Sequence, residues 1–475
     1  MKVTSGDFLQ HADTALAASD KVQRRDLLGL FMPLARDAAV ARYGDFDALR
    51  AHLKRVRRHT MDNLEHYLTR FEEAAVRNGN QVHFAATAEQ LNSTVLSICQ
   101  AHGARRVAKG KSMVTEETDL NAHLRKAGLD VIETDLGEYI IQQAGETPSH
   151  IVGPALHKSL AEIRQLFLDR HQLGERPLEQ VEDIVAEARG ILRERFLQAE
   201  VGIIGANALI AENGSTMLVT NEGNGDLCAN LPPVLIVCTT LERILPRAED
   251  AMTLQRLLVR SATGQPQTCY TSFYSGPRRD DDADGPLETH IILLDNQRTE
   301  ILASDYHEIL DCIRCGACLN HCPIYVGVGG HAYGWVYPGP MGSVLTPLLT
   351  SLEQSNALPN ACTSCGRCAE VCPANIPLPD LLRDLRQEES RQQLNSPRWR
   401  RGLRAHAWLL RHPRLYQHLT GWAVPVLAWL GRRRGTLRSL PFAADWTSTR
   451  DFPTPEGGTF MRQYRARGER RRHRG

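Results

Sequence analysis

Two runs of four cysteines constrain this chain more than any other feature. Each run has the spacing Cys-x2-Cys-x2-Cys-x3-Cys-Pro, beginning at Cys312 in the first run and at Cys362 in the second. This spacing is typical of iron–sulfur proteins, because three cysteines on one tight turn reach three corners of a single iron–sulfur cube. The fourth cysteine, stiffened by the proline after it, reaches away to the other cube. The sequence therefore predicts two [4Fe–4S] clusters.

The predicted ligand sets cross between the two runs. Cluster 1 takes Cys312, Cys315, Cys318 and Cys372. Cluster 2 takes Cys322, Cys362, Cys365 and Cys368. Structural zinc is the alternative, but a zinc site needs only two Cys-x2-Cys pairs and neither the third cysteine nor the proline. The spacing favours iron–sulfur chemistry, and the crossed ligation predicts clusters close enough for one-electron transfer between them.

Composition indicates an ordinary globular protein. The chain has 475 residues, of which 42% are hydrophobic and 23% charged. Residues 1–30 contain no apolar run of the secretory type, and the longest apolar stretch, residues 415–430, is too short and too interrupted to cross a bilayer. Cysteines in such a chain are expected to be reduced thiols or metal ligands. We therefore expect a cytoplasmic protein, held at most peripherally at the inner face of the membrane.

The hydrophobic pattern divides the chain into four predicted segments. A helical arm is followed by an α/β domain, by the segment that holds both cysteine runs, and by an extension rich in arginine and tryptophan. The α/β prediction rests on β-rich runs, such as residues 217–220 and 290–294, that alternate with helical stretches and indicate a largely parallel sheet. The four segments are residues 1–78, 79–303, 304–391 and 392–475.

The segment between the cysteine runs carries a first resemblance. About 40 residues separate Cys322 from Cys362, and they include a proline- and glycine-rich loop before a helical pattern near residues 342–353. Helical patterns also follow each Cys-Pro pair. The segment resembles the α-helical dicluster ferredoxin domains of succinate dehydrogenase iron–sulfur subunits and of heterodisulfide reductases. The resemblance implies an electron relay.

Polar motifs in the α/β domain carry the second resemblance. They are Lys109-Gly110-Lys111, Gly202-x-x-Gly205, Glu212-Asn213-Gly214 and Thr220-Asn221-Glu222-Gly223-Asn224. The domain resembles the lactate-utilization (LUD) domain, and with the dicluster segment behind it the chain is identified as a member of the lactate utilization protein B family. Membership implies a sheet similar to that of the sugar-isomerase and CoA-transferase superfamily. It also implies an iron–sulfur subunit of a three-protein system that oxidises L-lactate to pyruvate, with companion subunits and a quinone or membrane acceptor as partners.

The same motifs supply candidates for a pocket. Lys109 and Lys111 are candidates for pairing with an anionic 2-hydroxy acid, with a solvated surface as the alternative for either lysine. Glu212 resembles the catalytic glutamate of CoA transferases. Candidates for substrate binding, or for hydrogen bonds within a turn, are Asn221, Glu222 and Asn224. Candidate bases for a substrate hydroxyl are His150, His157 and His290, although a polar or buried structural role is favoured for each.

The motifs lack a fingerprint for a two-electron cofactor. Gly202-x-x-Gly205 is not the Gly-x-Gly-x-x-Gly of dinucleotide-binding turns. Oxidation of lactate removes two electrons, so we expect the primary chemistry on a partner subunit and predict that this chain carries electrons. The second hypothesis is that the LUD domain is itself catalytic on lactate or on another small carboxylate or acyl substrate. The third is a scaffold with structural clusters.

The C-terminal extension combines positive charge with tryptophan. From Ser390 to the end there are 19 arginines, no lysine and 4 acidic residues, and five of the six tryptophans also lie there. Three interpretations are docking to an acidic surface, binding flat on anionic lipid, and binding nucleic acid. Docking is favoured, and no nucleic-acid partner is expected because no recognised binding motif accompanies the charge.

Overall fold

The chain divides into two compact units, Met1–Gln392 and Gln393–Gly475. The structure, a computed structural model, describes residues 3–173, 176, 178–440, 447, 450–456 and 458–472. The boundaries that the sequence places at residues 78, 303 and 391 stay predictions.

The first unit begins with helices, as the periodicity of the arm predicts. They are α1 Phe8–Ala17, α2 Ser19–Ala41, α3 Phe46–Asp62 and α4 Leu64–Arg77. At the start of α3 the Asp45 carboxylate accepts a hydrogen bond from the Ala48 N–H, which satisfies one of the free donors of the first turn. The apolar faces of α3 and α4 bury Leu53 and Phe71 fully. The arm is therefore packed into the body of the unit.

The strands of the first unit form two sheets. They are β1 Gln81–Ala85, β2 Arg106–Lys109, β3 Asp130–Glu133, β4 Val201–Ile204, β5 Ala208–Ile210, β6 Ser215–Thr220, β7 Val234–Thr240, β8 Ile244–Leu245, β9 Tyr270–Tyr274 and β10 Glu288–Leu294. The larger sheet has the order β1-β10-β7-β4-β2-β3, and every neighbouring pair in it is parallel. Apolar clusters cover both of its faces, as parallel sheets require. The predicted α/β fold with a parallel sheet is confirmed.

A smaller four-stranded sheet has the order β8-β5-β6-β9. The strand pairs β5–β6 and β6–β9 are antiparallel, and β5–β8 is parallel. The sequence predicts only β6 among these strands, because β5 and β8 are three and two residues long and carry no alternating pattern of their own. The turn from β5 to β6 contains Glu212.

Helices cover the larger sheet and connect its strands. They are α5 Ala88–Ala101, α6 Met113–Glu117, α7 Leu120–Lys126, α8 Leu136–Ala144, α9 Leu160–Arg170, α10 Val181–Gln198, α11 Asn224–Asn230, α12 Ala248–Thr263 and α13 Arg298–Leu302. Each parallel strand thus leads into a loop or helix at the same, carboxyl-terminal edge of the sheet. That edge is where side chains from distant parts of the chain meet.

The cysteine segment is helical, as predicted. Its helices are α14 Ala317–Asn320, α15 Pro323–Val328, α16 Gly339–Leu349, α17 Leu352–Ser355, α18 Ala357–Asn360, α19 Arg367–Glu370 and α20 Leu378–Arg391. A separate apolar core lies among them and takes in Phe8 from α1. Short 3-10 turns at Ser5–Asp7, Leu241–Arg243, His307–Asp311 and His331–Tyr333 complete the unit.

One loop locks the cysteine segment to the α/β domain. The Tyr325 hydroxyl donates a hydrogen bond to the Ser149 carbonyl oxygen over 2.8 Å. Gly330 approaches the same carbonyl so closely that a Cβ would lie 1.7 Å from its oxygen. His150, the next residue of the loop, has Nε2 3.0 Å from Oδ1 of Asn320. The two parts are therefore fitted together backbone against backbone.

The second unit carries the arginine- and tryptophan-rich extension. Its elements are α21 Pro397–Leu410, α22 Pro413–Gly431, β11 Thr436–Leu437, β12 Phe452–Pro453 and a last helix, Phe460–Arg472. Trp422 on α22 is 77% exposed, and Trp399 and Trp408 on α21 are also exposed. No helix in the described part of the chain has the length and apolarity to span a membrane. The three interpretations of the extension stay predictions.

Candidate metal centre and the adjoining cavity

The eight cysteines of the two runs line two separate small cavities. One cavity is lined by Cys312, Cys315, Cys318 and Cys372. The other is lined by Cys322, Cys362, Cys365 and Cys368. In each cavity the fourth cysteine comes from the other run, which is the crossed arrangement that the spacing predicts. The ligand assignment stays a prediction, and this geometry supports it.

The backbone repeats itself in the two runs. Arg314 and Ser364, each two residues after the first cysteine, both have φ of 57°, and Gly316 and Gly366 have φ of 77° and 80°. Left-handed residues are strained for any side chain but glycine, so their repetition indicates a shared local requirement. The Arg314 N–H lies 3.4 Å from Sγ of Cys312, and the Ser364 N–H lies 3.2 Å from Sγ of Cys362. The turn thus directs backbone donors at sulfur.

The thiols of each cavity fit a cationic iron–sulfur group. Burial, followed by the neighbouring thiols Cys312 and Cys315, raises the pKa of Cys318 well above its usual value. Burial and its neighbours likewise raise the pKa of Cys368 to about 12. Thiolates facing one another in a buried space need positive charge between them, which a metal group supplies. The donor set and the backbone N–H groups therefore fit a [4Fe–4S] cluster in each cavity.

Arginines of the helical arm support the second cysteine run from outside. Arg50 on α3 donates hydrogen bonds to the carbonyl oxygens of Cys372 over 2.7 Å and of Glu370 over 3.0 Å. Arg36 on α2 donates to the carbonyl oxygen of Val371 over 3.1 Å. The sequence predicts the arm only as a helical segment. The contacts depend on the arm folding back across more than 300 residues of chain, which local pattern does not reveal.

Another cavity, of about 280 Å³, adjoins the cavity of Cys312, Cys315, Cys318 and Cys372 and is larger than it. It lies at the carboxyl ends of β2 and β4, where ligand sites of parallel sheets are usually found. Its charged lining residues are Lys111, Asp135, Glu222, Arg243 and Arg314. Because Arg314 also belongs to the turn between Cys312 and Cys315, any molecule in this cavity lies beside the first cysteine set.

The cationic side of this cavity is only partly neutralised. Arg314 lies 3.7 Å from Glu242 and stacks over the Tyr337 ring at 4.9 Å. The buried Arg243 guanidinium has no hydrogen bond or salt bridge to any residue that the structure describes. Burial, and then the charge of Arg314, lowers the pKa of Arg243 to about 10, so it is still charged at neutral pH. The charge of Glu242 acts on Arg243 as well as on Arg298 and Arg314, so three arginines share this one carboxylate and the cavity favours an anionic ligand.

Comparisons with known proteins agree with this architecture. The LUD domain family model matches residues 68–294, and the 4Fe-4S dicluster domain model matches residues 308–376. Proteins named lactate utilization protein B from Bacillus velezensis and from Bacillus subtilis strain 168 are each 40% identical to this chain. The first alignment covers 90% of both chains, and the second covers 89% of this chain and 88% of the relative. An uncharacterized electron transport protein of Escherichia coli strain K12, YkgF, is also 40% identical, over 90% of this chain and 89% of its own.

This chain belongs to the lactate utilization protein B family. The resemblance read from the cysteine runs and the polar motifs is thereby confirmed, together with the order of a LUD domain before a dicluster domain. The family assignment does not decide which of the candidate pocket residues meet in space.

Of the pocket candidates in this family member, Lys111, Asn221, Glu222 and Asn224 line the cavity. The ammonium group of Lys111 donates to the Val152 carbonyl oxygen over 2.6 Å. Burial and the nearby Asp135 raise the pKa of Glu222. Asn221 accepts hydrogen bonds from the N–H of Cys269 and from the Thr268 hydroxyl, so it also serves the turn that the sequence offers as the alternative.

Two candidates lie elsewhere. Lys109 is fully buried, and its ammonium group lies 2.9 Å from Glu133 and 3.3 Å from Glu116. Burial alone would lower the pKa of Lys109, but these carboxylates outweigh it and raise the pKa, so Lys109 is neutralised within the fold. Glu212 is exposed and accepts a hydrogen bond from the Ala248 N–H over 2.7 Å, at the start of α12. Both side chains therefore have structural partners away from the cavity.

Two of the histidine candidates, His150 and His157, line a different cavity of about 670 Å³. His150 Nδ1 accepts the N–H groups of Val152 and Gly153, and burial lowers its pKa to about 4, so it is a neutral structural residue. His157 has Nε2 2.7 Å from Glu146 and Nδ1 2.8 Å from Ser149. His290 lies near the amino-terminal end of β10. None of the three lines the cavity that contains Lys111 and Arg314.

Proposed function

We propose that this chain is the iron–sulfur electron-transfer subunit of a multi-protein system that oxidises L-lactate to pyruvate. The observation that carries the proposal is the pair of cavities that are each lined by four cysteines, three from one run and the fourth from the other run. The names of the relatives, which refer to lactate utilization and to electron transport, support it. Oxidation of one L-lactate releases two electrons and two protons. We place that step on a companion subunit and the onward transfer of electrons, toward a quinone or membrane acceptor, on this chain.

The residues of the chain would hold and shield the relay. Two [4Fe–4S] clusters would supply two one-electron carriers when bound. Cysteines from both runs line each cavity, so the runs hold the two centres close together. Buried Trp335, Tyr337 and Met341 belong to the apolar core of the cysteine segment. A dry surrounding limits the reaction of the centres with water and oxygen.

Anaerobic purification followed by measurement of iron and acid-labile sulfide tests the proposal. We expect about eight of each per chain, and an electron paramagnetic resonance spectrum of two interacting spins after dithionite reduction. With companion subunits added, L-lactate should reduce the same centres. Zinc without sulfide would exclude the relay. Clusters that L-lactate and its companion subunits leave oxidised, although dithionite reduces them, would support the scaffold hypothesis instead.

A second candidate function has one specific observation in its favour. Three cations, Lys111, Arg314 and the buried Arg243, line the cavity beside the first cysteine set, against two carboxylates, Asp135 and Glu222. A small carboxylate there would satisfy Arg243 and would lie against the turn that carries Cys312 and Cys315. In this arrangement the LUD domain itself would bind the substrate, next to the cysteines that would hold the first cluster.

Removing the cations of the cavity separates the two functions. Lys111→Ala and Arg243→Met should each weaken binding of L-lactate to the cluster-loaded chain about tenfold or more, because each deletes a charge-assisted hydrogen bond. Binding is measured by calorimetry, with neutral lactamide as the control ligand and exposed Lys126→Ala as the control variant. The opposite result is that both variants keep their iron and turn over lactate with companion subunits at the wild-type rate. The cavity that contains Lys111 and Arg243 is then not the substrate site, and only the electron-relay function is retained.

A further inference from the structure

Histidines and one carboxylate meet at the amino-terminal edge of the larger sheet. Glu288 and His290 are two residues apart on β10, so their side chains point to the same face. His102 ends α5, which packs on that face, and His83 lies on the neighbouring strand β1. None of these four side chains lines either cysteine cavity or the cavity that contains Lys111 and Arg243.

The spacing of three of these groups suits a tetrahedral metal ion. Glu288 Oε2 lies 3.5 Å from His102 Nε2 and 3.7 Å from His290 Nε2, and the three atoms lie within 4.8 Å of one another. Zinc binds imidazole nitrogen and carboxylate oxygen at about 2.0–2.2 Å, which at a tetrahedral angle separates two ligand atoms by about 3.4 Å. The two distances to Glu288 lie within a few tenths of an ångström of this spacing, and the nitrogens of His102 and His290, within 4.8 Å of each other, must approach by up to about 1.4 Å.

His290 is directed into this group without a partner of its own. It is 4% exposed, and among the described residues its Nε2 forms no hydrogen bond. The distance of 3.7 Å to Glu288 is too long for one. A buried nitrogen that forms no hydrogen bond and faces a carboxylate is poorly accommodated unless a cation lies between them.

His83 completes the arrangement from behind. Its Nε2 lies 3.1 Å from Nδ1 of His290, and the two rings are stacked. If Nδ1 of His290 donates to His83, Nε2 of His290 is left with a free lone pair toward Glu288 and His102. Metal-bound histidines in proteins usually donate their other ring N–H to such a partner, which fixes the tautomer.

We propose that His102, Glu288 and His290 bind a divalent zinc-class metal ion, with His83 as the positioning residue of His290. His102 and Glu288 are partly exposed, with side-chain accessibilities of 29% and 44%, so water completes the fourth position. The ion ties the end of α5 to β10 at the edge of the sheet. The remaining contact of Glu288 in this region, a hydrogen bond of 3.4 Å from the Gln81 amide, can persist in the bound state.

The test is a titration of the anaerobic, cluster-loaded protein with Zn²⁺. Calorimetry should give one zinc per chain, and iron and sulfide contents should stay unchanged. X-ray absorption at the zinc edge should show nitrogen and oxygen neighbours at about 2.0–2.1 Å, whereas zinc captured by cysteine would show sulfur at about 2.3 Å. Sulfur neighbours, or no binding, would overturn the proposal.

Variants locate the bound ion. Glu288→Gln keeps the shape of the side chain and should weaken zinc binding at least tenfold, and His83→Ala should weaken it by about 10- to 100-fold as loss of an outer partner does. His52→Ala is the matched control, because His52 lies 3.7 Å from Asp250 in a histidine–carboxylate pair that is not part of this group. Equal zinc affinity in wild type and Glu288→Gln would contradict the assignment. Glu288→Gln and His52→Ala should both keep the full iron content, so a failure here is distinct from a failure of the electron relay.

Discussion

Two pairs of cysteine substitutions should remove different numbers of clusters. Cys315→Ala combined with Cys372→Ala is expected to leave about four iron atoms per chain, because both residues line the same cavity. Cys315→Ala combined with Cys322→Ala is expected to leave almost none, because Cys322 lines the other cavity. Iron and acid-labile sulfide are measured on anaerobically purified protein. Both double variants should also lose lactate-dependent electron flow.

The crossed arrangement is contradicted if the double variant of Cys315 and Cys322 keeps about four iron atoms and the double variant of Cys315 and Cys372 keeps almost none. Ligation within each run would place Cys315 and Cys322 on one cluster, and that pair would then retain about four iron atoms. Cys269→Ala is the matched control, since Cys269 is an exposed thiol outside both runs. Circular dichroism of the single variants shows whether a loss of iron follows from unfolding rather than from loss of one ligand.

Replacing Arg298 with methionine should lower the free energy of unfolding by about 3–5 kcal/mol, as breaking a buried ion-pair network does. Arg298 is 2% exposed and lies 2.7 Å from Glu117 and 3.1 Å from Glu242. The Tyr337 hydroxyl of the cysteine segment donates to Glu117 over 2.6 Å, so the network joins both parts of the first unit. Without Arg298, two buried carboxylates lose their main counter-charge.

Urea unfolding of the cluster-loaded protein measures this effect, with exposed Arg256→Ala as the control expected within about 0.5 kcal/mol of wild type. Burial would raise the pKa of Glu242, but Arg298, Arg243 and Arg314 lower it to about 2. A depressed carboxyl pKa stabilises the folded state above the unfolded value of about 4.5, and this contribution is lost as the pH falls toward 2. The difference between wild type and Arg298→Met should therefore be full at pH 7 and shrink below pH 4.5. An Arg298→Met protein that unfolds at the wild-type urea concentration would refute the role of the network.

The parts of the molecule that depend on short-range pattern are predictable from sequence. The cysteine runs repeat a local turn, and the spacing alone predicts which thiols approach one another. The strands of the larger sheet have continuous apolar runs, so their existence is also predictable. The smaller sheet is not, because strands as short as β8 gain their identity from the strands beside them.

The cavity shows where local pattern stops being informative. Lys109 and Lys111 are two residues apart, yet one is neutralised by Glu133 and the other lines the cavity. The choice depends on which carboxylates the neighbouring strand and helix bring near, and these lie outside the motif. Arg314 is visible within the first run, but only the packed structure places it beside Arg243, which is 71 residues earlier in the chain.

The contact between Ser149 and Gly330 has a consequence for how such proteins can be recombined. A cysteine segment taken from an unrelated electron carrier would bring a side chain into the space that Gly330 leaves for the Ser149 carbonyl, where a Cβ has 1.7 Å. Arginines of the helical arm would also lose the carbonyl oxygens that they bind in the second run. Residues 1–392 therefore form one structural unit whose parts cannot be exchanged separately. A working chimera needs the helical arm, the Ser149 loop and the cysteine segment from the same protein.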